Sequence, residues 1–255
     1  MYPGFAGLCR AVPRFSFLHG FPLARLSWDV VQICSGLLSG LLLPILLVLG
    51  GAGLILKPLW ILLSLLGVMD VLTSARMSYA EKGQIIRDRR KIAERYLKGW
   101  FVWDVLSNLP FLIISSSPIA AALQVMRASR VFRVLRSWER SSRIDPLILR
   151  MVRYVIALAL LVVWLSCCWL FVGLAETSSE SWIRRHDFVD RSPVDQLLFS
   201  FYWALTTLTS VGYGDILPKT RPELLLSMAT MCIGVVVIAV AIGNIIAVVN
   251  QLSDG

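Results

Sequence analysis

The chain has 255 residues, of which 57% are hydrophobic and 16% charged, with a mean hydropathy of +0.73 and a formal net charge of +9. This is far more apolar than a soluble globular domain requires, so the composition excludes a soluble protein and predicts an integral membrane protein with several helical spans. Because the charges are concentrated in predicted loops and on one helix, we expect a lipid bilayer, and not nucleic acid, as the partner.

The first 28 residues contain arginines and no acidic residue. Prolines and arginines interrupt them too often for a signal-peptide core, so we expect a basic cytoplasmic arm over residues 1–28 rather than a transit peptide. The five cysteines show no metal-ligand spacing, which predicts free thiols.

Six apolar segments of near-spanning length follow along the chain. A break at "GGAGLILKP" divides the first long apolar run into two helices. The predicted spans are 30–50, 58–76, 99–115, 118–137, 147–174 and 222–250. A seventh apolar stretch, 195–209, is too short to cross a bilayer core of about 30 Å, so it must turn back or lie buried.

Positive charge predicts the orientation of these spans, because short cytoplasmic loops are enriched in Lys and Arg. The loop between the second and third spans carries seven such residues: Lys82, Arg87, Arg89, Arg90, Lys91, Arg95 and Lys98. We therefore expect this loop and both termini to be cytoplasmic, and residues 176–194 to lie outside. The expected location is the plasma membrane, or the inner membrane in a bacterium.

The fourth predicted span carries arginines at every third position, at Arg127, Arg130, Arg133 and Arg136. Such a stripe winds around a helix, and each arginine inside a bilayer is costly. A lipid-surface amphipathic helix and a set of structural salt bridges are alternatives to a voltage sensor. We favour the sensor, since moving one charge through the field is worth about 2.3 kcal/mol per 100 mV.

Buried cations need partners, and two carboxylates lie in apolar surroundings within neighbouring spans. These are Asp70 in "LLGVMDVLTSAR" and Asp104 in "KGWFVWDVLSNLP". Isolated carboxylates there would be unfavourable without a cation nearby. We predict them as the counter-charges of the sensor and interpret Asp29 as a solvated end charge.

The segment "TLTSVGYGD" follows the short apolar stretch 195–209. Irregular backbone at membrane depth is tolerated only when it is buried in protein or lines a water-filled path, so the segment predicts a pore. Gly212 and Gly214 permit backbone angles that let successive carbonyls face one way. Rings of such carbonyls, one strand from each subunit, can replace the hydration shell of a cation.

We therefore expect a re-entrant pore helix at 195–209 and a selectivity filter at 210–214, formed by Ser210, Val211, Gly212, Tyr213 and Gly214. Support for the filter is expected from Thr209 directly before it and from packing by Tyr202, Trp203 and Tyr213. An ordinary tight turn is the alternative, since Gly-Tyr-Gly is common by chance. The two histidines, His19 and His186, lie far apart, so no catalytic cluster and no enzymatic activity are expected.

These residues carry a family resemblance. "TTLTSVGYGD" is similar to the potassium-channel signature, and "YLKGWFVWDVLSNLPF" and "AIGN" resemble the third and sixth spans of the branch that contains cyclic-nucleotide-gated, hyperpolarization-activated and ether-a-go-go-like channels. The resemblance implies a homotetramer, a cation-selective pore and an adjacent sensor. It also implies that Asp215 is the acid at the outer mouth and that Gly234 and Gly243 are small residues of the pore-lining helix, serving as hinge or as packing positions.

Two departures from that family pattern bear on function. Ser210 stands where most potassium filters have threonine, which keeps the hydroxyl and removes a methyl group. The sequence as given ends at "VVNQLSDG", directly after the last span. Cyclic nucleotide is therefore not expected to bind this chain as given, which is either a naturally short channel or the transmembrane part of a longer, ligand-modulated one.

The sequence thus predicts an all-α integral membrane protein with six transmembrane helices, a re-entrant pore helix and a filter loop. The expected domains are the arm 1–28, a voltage-sensor bundle 29–143 and a pore domain 144–255. The expected function is that of a voltage-sensitive potassium channel subunit with K⁺ as the permeant ion and no cofactor. A weakly selective cation channel is the first alternative, and a membrane transporter is a remote one.

Overall fold

The computed structural model describes residues 22–42, 44–45, 56–74, 79–81, 84–86, 94, 97, 99, 101–108, 127–141 and 145–253. The predictions for residues 1–21, for most of the basic loop 82–98, and for much of the third and fourth spans lie outside the described residues. The helices are α1 (Pro22–Leu37), continued by a π-helical segment (Leu38–Leu42), α2 (Leu56–Ser74), α3 (Phe101–Asn108), α4 (Ala128–Ser141), α5 (Pro146–Ala175), α6 (Trp182–Arg185), α7 (Pro193–Leu208) and α8 (Arg221–Ser253).

The predicted helical architecture is confirmed for the described part of the chain. Two of its helices, α5 and α8, are long and apolar enough to cross a membrane. At 1.5 Å per residue, the 30 residues of α5 extend about 45 Å, which exceeds the bilayer core. The shorter apolar helices are Leu26–Leu42 and Ile61–Thr73. The described parts of the third and fourth predicted spans are too short to show a crossing.

One short antiparallel hairpin was not predicted. It pairs β1 (Tyr79–Glu81) with β2 (Gln84–Ile86), and Glu81 stands opposite Gln84 in its register. The hairpin lies between the second and third predicted spans, where we expected only a basic loop. Three-residue strands leave almost no periodicity in a sequence, so the sequence of this region indicated only its basic charges and not the strands.

The described residues fall into two compact units. The first contains α1 up to Gly36, α2 from Ile61, the hairpin, α3 and α4. Its buried apolar residues include Leu63 of α2 and Val131 of α4. Its buried polar residues include Gln32, Ser64 and Ser107. They matter because they surround the arginines of α4.

The second unit contains the π-helical segment and helices α5 to α8. Trp169 of α5 is its centre: the ring stacks on Trp203 of α7 at 3.7 Å between centroids and on Trp182 of α6 at 5.6 Å. All three indoles are nearly inaccessible to solvent. Stacked aromatic rings contribute beyond their buried area, so this cluster fixes α7 against α5.

Helices α5 and α7 begin with the same local sequence logic, a polar cap followed by proline. Asp145 accepts from the amide of Leu147 at 2.8 Å, and Ser192 accepts from the amide of Asp195 at 3.2 Å. Proline in the first turn fits because its missing amide has no intrahelical partner there. The second carboxylate oxygen of Asp145 accepts from Gln251 at 2.7 Å, which links the start of α5 to the end of α8.

A buried carboxylate holds the start of α8. Glu223 is 0% exposed and accepts four hydrogen bonds. Two come from Ser181 Oγ and Trp182 N before and within α6, and two from the amides of Lys219 and Thr220 at the N-terminus of α8. The carboxylate therefore joins α6 to α8 and satisfies amides that the helix leaves free.

Candidate functional sites in the filter loop and the arginine cluster

The loop Ser210–Gly214, which was predicted as the selectivity filter and is called the filter loop below, is separated from the end of α7 by Thr209. Its backbone alternates in handedness, because Ser210, Gly212 and Gly214 have φ of 58°, 53° and 75° while the residues between them do not have positive φ. Glycine tolerates this region freely, whereas a residue with a side chain loses about 1–2 kcal/mol there. Alternation at every second residue is the geometry that lets consecutive carbonyls face the same side.

Three amides of the filter loop donate hydrogen bonds back to α7. Val211 N and Gly212 N both donate to the carbonyl of Thr206, at 2.9 and 3.1 Å, and Ser210 N donates to Thr207 O at 3.2 Å. The amides of Ser210, Val211 and Gly212 thus find their acceptors within the chain. Its five residues are exposed, so the loop presents backbone carbonyl oxygens, the chemistry that replaces water around an alkali cation.

Side chains near the filter loop fall into two groups. Tyr202 donates its hydroxyl to Asp215 at 2.6 Å, and its ring is parallel to that of Tyr213, with 6.3 Å between centroids. Thr209 donates to the carbonyl of Leu205 at 2.7 Å. Trp203 contacts Trp169 in the core instead of the tyrosines. Tyr202 and Asp215 therefore support the loop directly, and Trp203 supports the helix that precedes it.

The hydrogen bond from Tyr202 holds the pKa of Asp215 below its ordinary value of 3.8. Bonds from backbone amides and the nearby His186 act in the same direction, and partial desolvation opposes them. Because its pKa is lowered, the carboxylate form of Asp215, which accepts from Tyr202, predominates at neutral pH.

The two glycines predicted in the pore-lining helix have different surroundings. A Cβ on Gly234 would lie 3.1 Å from the carbonyl oxygen of Leu208, at the end of α7, and 3.4 Å from that of Thr207. A Cβ on Gly243 would meet nothing within 4 Å of the described chain. Gly234 is thus needed for the close approach of α8 to the base of the filter loop, which favours packing over a hinge at this position.

The arginine cluster, in the other unit, consists of Arg127, Arg130 and Arg133 with Asp70 and Asp104. Arg130 Nη1 is 2.8 Å from Asp70 Oδ2, and its Nε is 3.5 Å from Asp104 Oδ1. Arg133 makes a two-point contact with Asp104, through Nη2 to Oδ1 and through Nη1 to Oδ2 at 3.0 Å. The structure therefore brings both predicted counter-charges onto the arginines of α4.

Arg127 has neutral partners instead. It donates from Nε to the carbonyl of Ser107 at 2.7 Å and from Nη2 to Ser64 Oγ at 3.1 Å, and it is 4% exposed. Arg136, the fourth predicted sensing arginine, is exposed and outside the cluster. Within the cluster three guanidinium groups face two carboxylates, so one buried positive charge is not matched by a carboxylate among the described residues.

Several contacts in this unit were missed by the sequence reasoning. Trp28 donates to Asp70 at 3.3 Å, and Trp138 donates to Asp29 at 2.9 Å. Asp29, interpreted as a solvated end charge, thus has an indole partner. The only sequence signal for Ser64 and Ser107 was their occurrence as isolated hydroxyls within apolar runs.

The described residues define a helical membrane protein that combines an exposed carbonyl-bearing loop with a buried cluster of arginines. A family model described as "Ion transport protein" matches residues 55–254, which is well over half of the sequence. The chain belongs to the ion transport protein family.

Similar proteins include voltage-gated potassium channels. The chain is 28% identical over 219 residues to the "Voltage-gated inwardly rectifying potassium channel KCNH7" of Mus musculus, a match covering 76% of this chain and 18% of the relative. It is 26% identical over 223 residues to the "Potassium voltage-gated channel unc-103" of Caenorhabditis elegans, a match covering 76% of this chain and 27% of the relative. The channel KCNH2 of Rattus norvegicus is 27% identical over 217 residues, covering 76% and 18%.

These matches confirm the predicted resemblance to voltage-gated potassium channels of the ether-a-go-go-like branch. The chain spans between 18% and 27% of the length of these relatives.

Proposed function

We propose that this chain is a subunit of a voltage-sensitive, potassium-selective ion channel. The observation that carries the proposal is the backbone of Ser210–Gly214, which has positive φ at every second residue and donates from its first three amides back to α7. In four copies around an axis, the carbonyls of this loop would ligate dehydrated K⁺. Ser210, at the inner end, would add its hydroxyl.

A homotetramer follows from the filter and agrees with the exposed surface of α8. Along its whole length, α8 exposes large apolar side chains, among them Leu225, Val235, Ile245 and Leu252, each more than 60% exposed. A helix with this surface needs lipid or other subunits around it. We infer that lipid covers one side of α8 and neighbouring copies cover the other, with Gly243 on a surface free for such contact.

For the first unit we propose voltage sensing by Arg127, Arg130, Arg133 and Arg136, with Asp70 and Asp104 as counter-charges. Buried ion pairs of this kind add little net stability, because the cost of desolvating the two charges offsets their Coulomb attraction. They are suited to exchange partners as a charged helix moves. Each elementary charge that crosses the field contributes about 2.3 kcal/mol per 100 mV.

The proposed arrangement is that of six spans in a plasma membrane, or an inner membrane in a bacterium, with both termini cytoplasmic. The sensor bundle would comprise residues 29–143 and the pore domain 144–255. Gly234 and Gly243 are proposed for the pore-lining helix, Gly234 as the position that packs against the base of the filter.

Potassium flux into proteoliposomes tests the proposal. The wild-type chain, reconstituted as a tetramer, should carry K⁺ flux, and Gly212→Ala should abolish it because alanine is strained at a φ of 53°. Glu180→Gln, at an exposed position outside the filter, is the matched control and should leave the flux unchanged. Flux that survives Gly212→Ala in intact tetramers would contradict a carbonyl filter.

A further inference from the structure

A small cavity lies inside the first unit, between α1, α2 and α4. Gln32 and Ser35 of α1 line it together with Arg127 and Arg130, and glycines of α1 and α2 form part of its wall. The space open to the centre of a water molecule is about 10 Å³. This is close to the lower limit for one water and too small for a larger polar ligand.

Three nitrogens of the lining residues have no hydrogen-bond partner among the residues that the structure describes: Gln32 Nε2, Arg127 Nη1 and Arg130 Nη2. The three residues are 3%, 4% and 5% exposed, so bulk solvent does not reach these atoms. All three atoms are donors, and an occupant of the cavity must therefore be an acceptor. A buried donor left without an acceptor costs about 1–3 kcal/mol, and more when it is charged.

Water meets this requirement with its own geometry. Its oxygen accepts two hydrogen bonds, and its hydrogens need acceptors in return. Ser35 Oγ donates to the carbonyl of Gln32 at 3.1 Å, which leaves the lone pairs of that hydroxyl available. One water molecule in the cavity can therefore accept from two of the three donors and donate to the hydroxyl of Ser35.

The charges explain why such a water would matter at Arg127. Arg130 and Arg133 contact carboxylates, whereas Arg127 donates to a carbonyl and a hydroxyl. Its guanidinium is buried without a carboxylate within ion-pair distance among the residues the structure describes. A water molecule at Nη1 would add a third polar contact to the two that Ser107 and Ser64 already give this charge.

We propose that this cavity binds one internal water, which accepts hydrogen bonds from Arg127 and Gln32 and donates to Ser35. Through this water, Gln32 becomes a positioning residue. Although Gln32 bears no charge, it stabilises Arg127 at the position that Arg127 occupies in this conformation. The consequence for gating rests on the proposed function, whereas the binding of water does not.

The water itself is tested by a high-resolution map of the tetramer in lipid nanodiscs. Wild type should show a solvent peak within hydrogen-bonding distance of Arg127 Nη1 and Gln32 Nε2, and Gln32→Leu should lose it. An empty cavity, or direct bonds between Gln32 and Arg127 that close it, would overturn the proposal.

Gating-charge measurements test the positioning role. Gln32→Leu removes the hydrogen bond and destabilises this sensor position, whereas Gln32→Glu supplies a carboxylate for Arg127 and stabilises it. The two variants should shift the midpoint in opposite directions, each changing the ratio of sensor positions about tenfold. Cys34→Ser, exposed on the same helix, is the control and should not shift it.

Ser35→Ala should shift the midpoint of the charge–voltage relation in the same direction as Gln32→Leu. It is the alternative variant if Gln32→Leu does not assemble. Shifts of equal sign in Gln32→Leu and Gln32→Glu, or none, would contradict the positioning role. If wild type shows no voltage-dependent charge movement, the proposed function fails, while the solvent peak still decides the question of the water.

Discussion

The guanidinium of Arg130 contacts the carboxylate of Asp70 at 2.8 Å, and the two side chains are 6% and 14% exposed. Asp104 lies on the other side of Arg130 and also holds Arg133. One arginine thus stands between two carboxylates on different helices. A short displacement of α4 could exchange one arginine for the next at the same carboxylate, since the arginines recur every third residue.

Neutralising Arg130 or Arg133 should reduce the gating charge. Arg130→Gln and Arg133→Gln each remove a cation that would move through the field, so the conductance–voltage relation should become less steep. The measurement is the slope of that relation in planar bilayers. Arg150→Gln, at an exposed position on α5, should leave the slope unchanged. An unchanged slope in the α4 variants would show that those arginines are structural.

Removing one counter-charge should lower the stability of the first unit strongly, although the substitution changes few atoms. Asp104→Asn leaves Arg133 and Arg130 without the carboxylate they share, and breaking a buried ion pair costs about 3–5 kcal/mol. We expect a lower thermal unfolding temperature in detergent and lower surface expression. Asp187→Asn, exposed and outside the cluster, is the control. Equal stability of the two variants would mean that the ion pairs do not hold the unit together.

The close approach of Gly234 to Leu208 predicts an asymmetry between two glycines of α8. Gly234→Ala should lower the stability of the tetramer by about 1–3 kcal/mol and reduce K⁺ conductance, because the added methyl group meets backbone at the base of the filter. Gly243→Ala meets no atom of its own chain and should gain helix propensity. Thermal unfolding and single-channel conductance measure both. Greater damage from Gly243→Ala would place its contact in a neighbouring subunit.

Glu223 should be sensitive to a change of a single atom. In Glu223→Gln an amide group replaces one carboxylate oxygen and faces donors that have lost their acceptor, which should cost about 1–3 kcal/mol. The expected result is a lower unfolding temperature without a change in the slope of voltage dependence. Glu180→Gln, which is exposed, is the matched control. A variant as stable as wild type would show that the four hydrogen bonds do not fix α6 to α8.

The bond between Tyr202 and Asp215 predicts a pH dependence with a defined sign. Because the pKa of Asp215 is lowered from 3.8, the carboxylate contributes to stability above that value, and the contribution is lost as pH falls through the lowered pKa. Tyr202→Phe should remove this part of the acid-induced destabilisation. Unfolding temperatures of wild type and variant between neutral pH and pH 3 test it, and parallel curves would contradict it.

The features that sequence predicted well are those in which local pattern and chemistry coincide. A helix is observed at Pro193–Leu208 where one was predicted at 195–209, because its apolar run is bounded by a proline and a glycine-containing turn. Its role as a re-entrant pore helix stays a prediction. Asp70 and Asp104 could be named because an isolated carboxylate in an apolar span needs a cation. Their assignment as counter-charges of a moving sensor stays a prediction.

Other contacts had no local signature. Serines such as Ser64 and Ser107 are common in apolar helices. They are partners of Arg127 only because the fold places them within hydrogen-bonding distance of its guanidinium. The burial of Glu223 beneath Ser181 joins residues 42 positions apart. Trp203 sits beside Tyr202 in sequence, yet neighbouring positions on a helix face different directions, so its ring enters the core.

The most direct test of the central claim is the reversal potential of the wild-type channel in asymmetric K⁺ and Na⁺. A filter built from the carbonyls of Ser210–Gly214 predicts a reversal potential that follows the K⁺ gradient, at about 59 mV per tenfold change at constant Na⁺. A reversal potential that follows Na⁺ equally, or that ignores the K⁺ gradient, would contradict a potassium-selective filter.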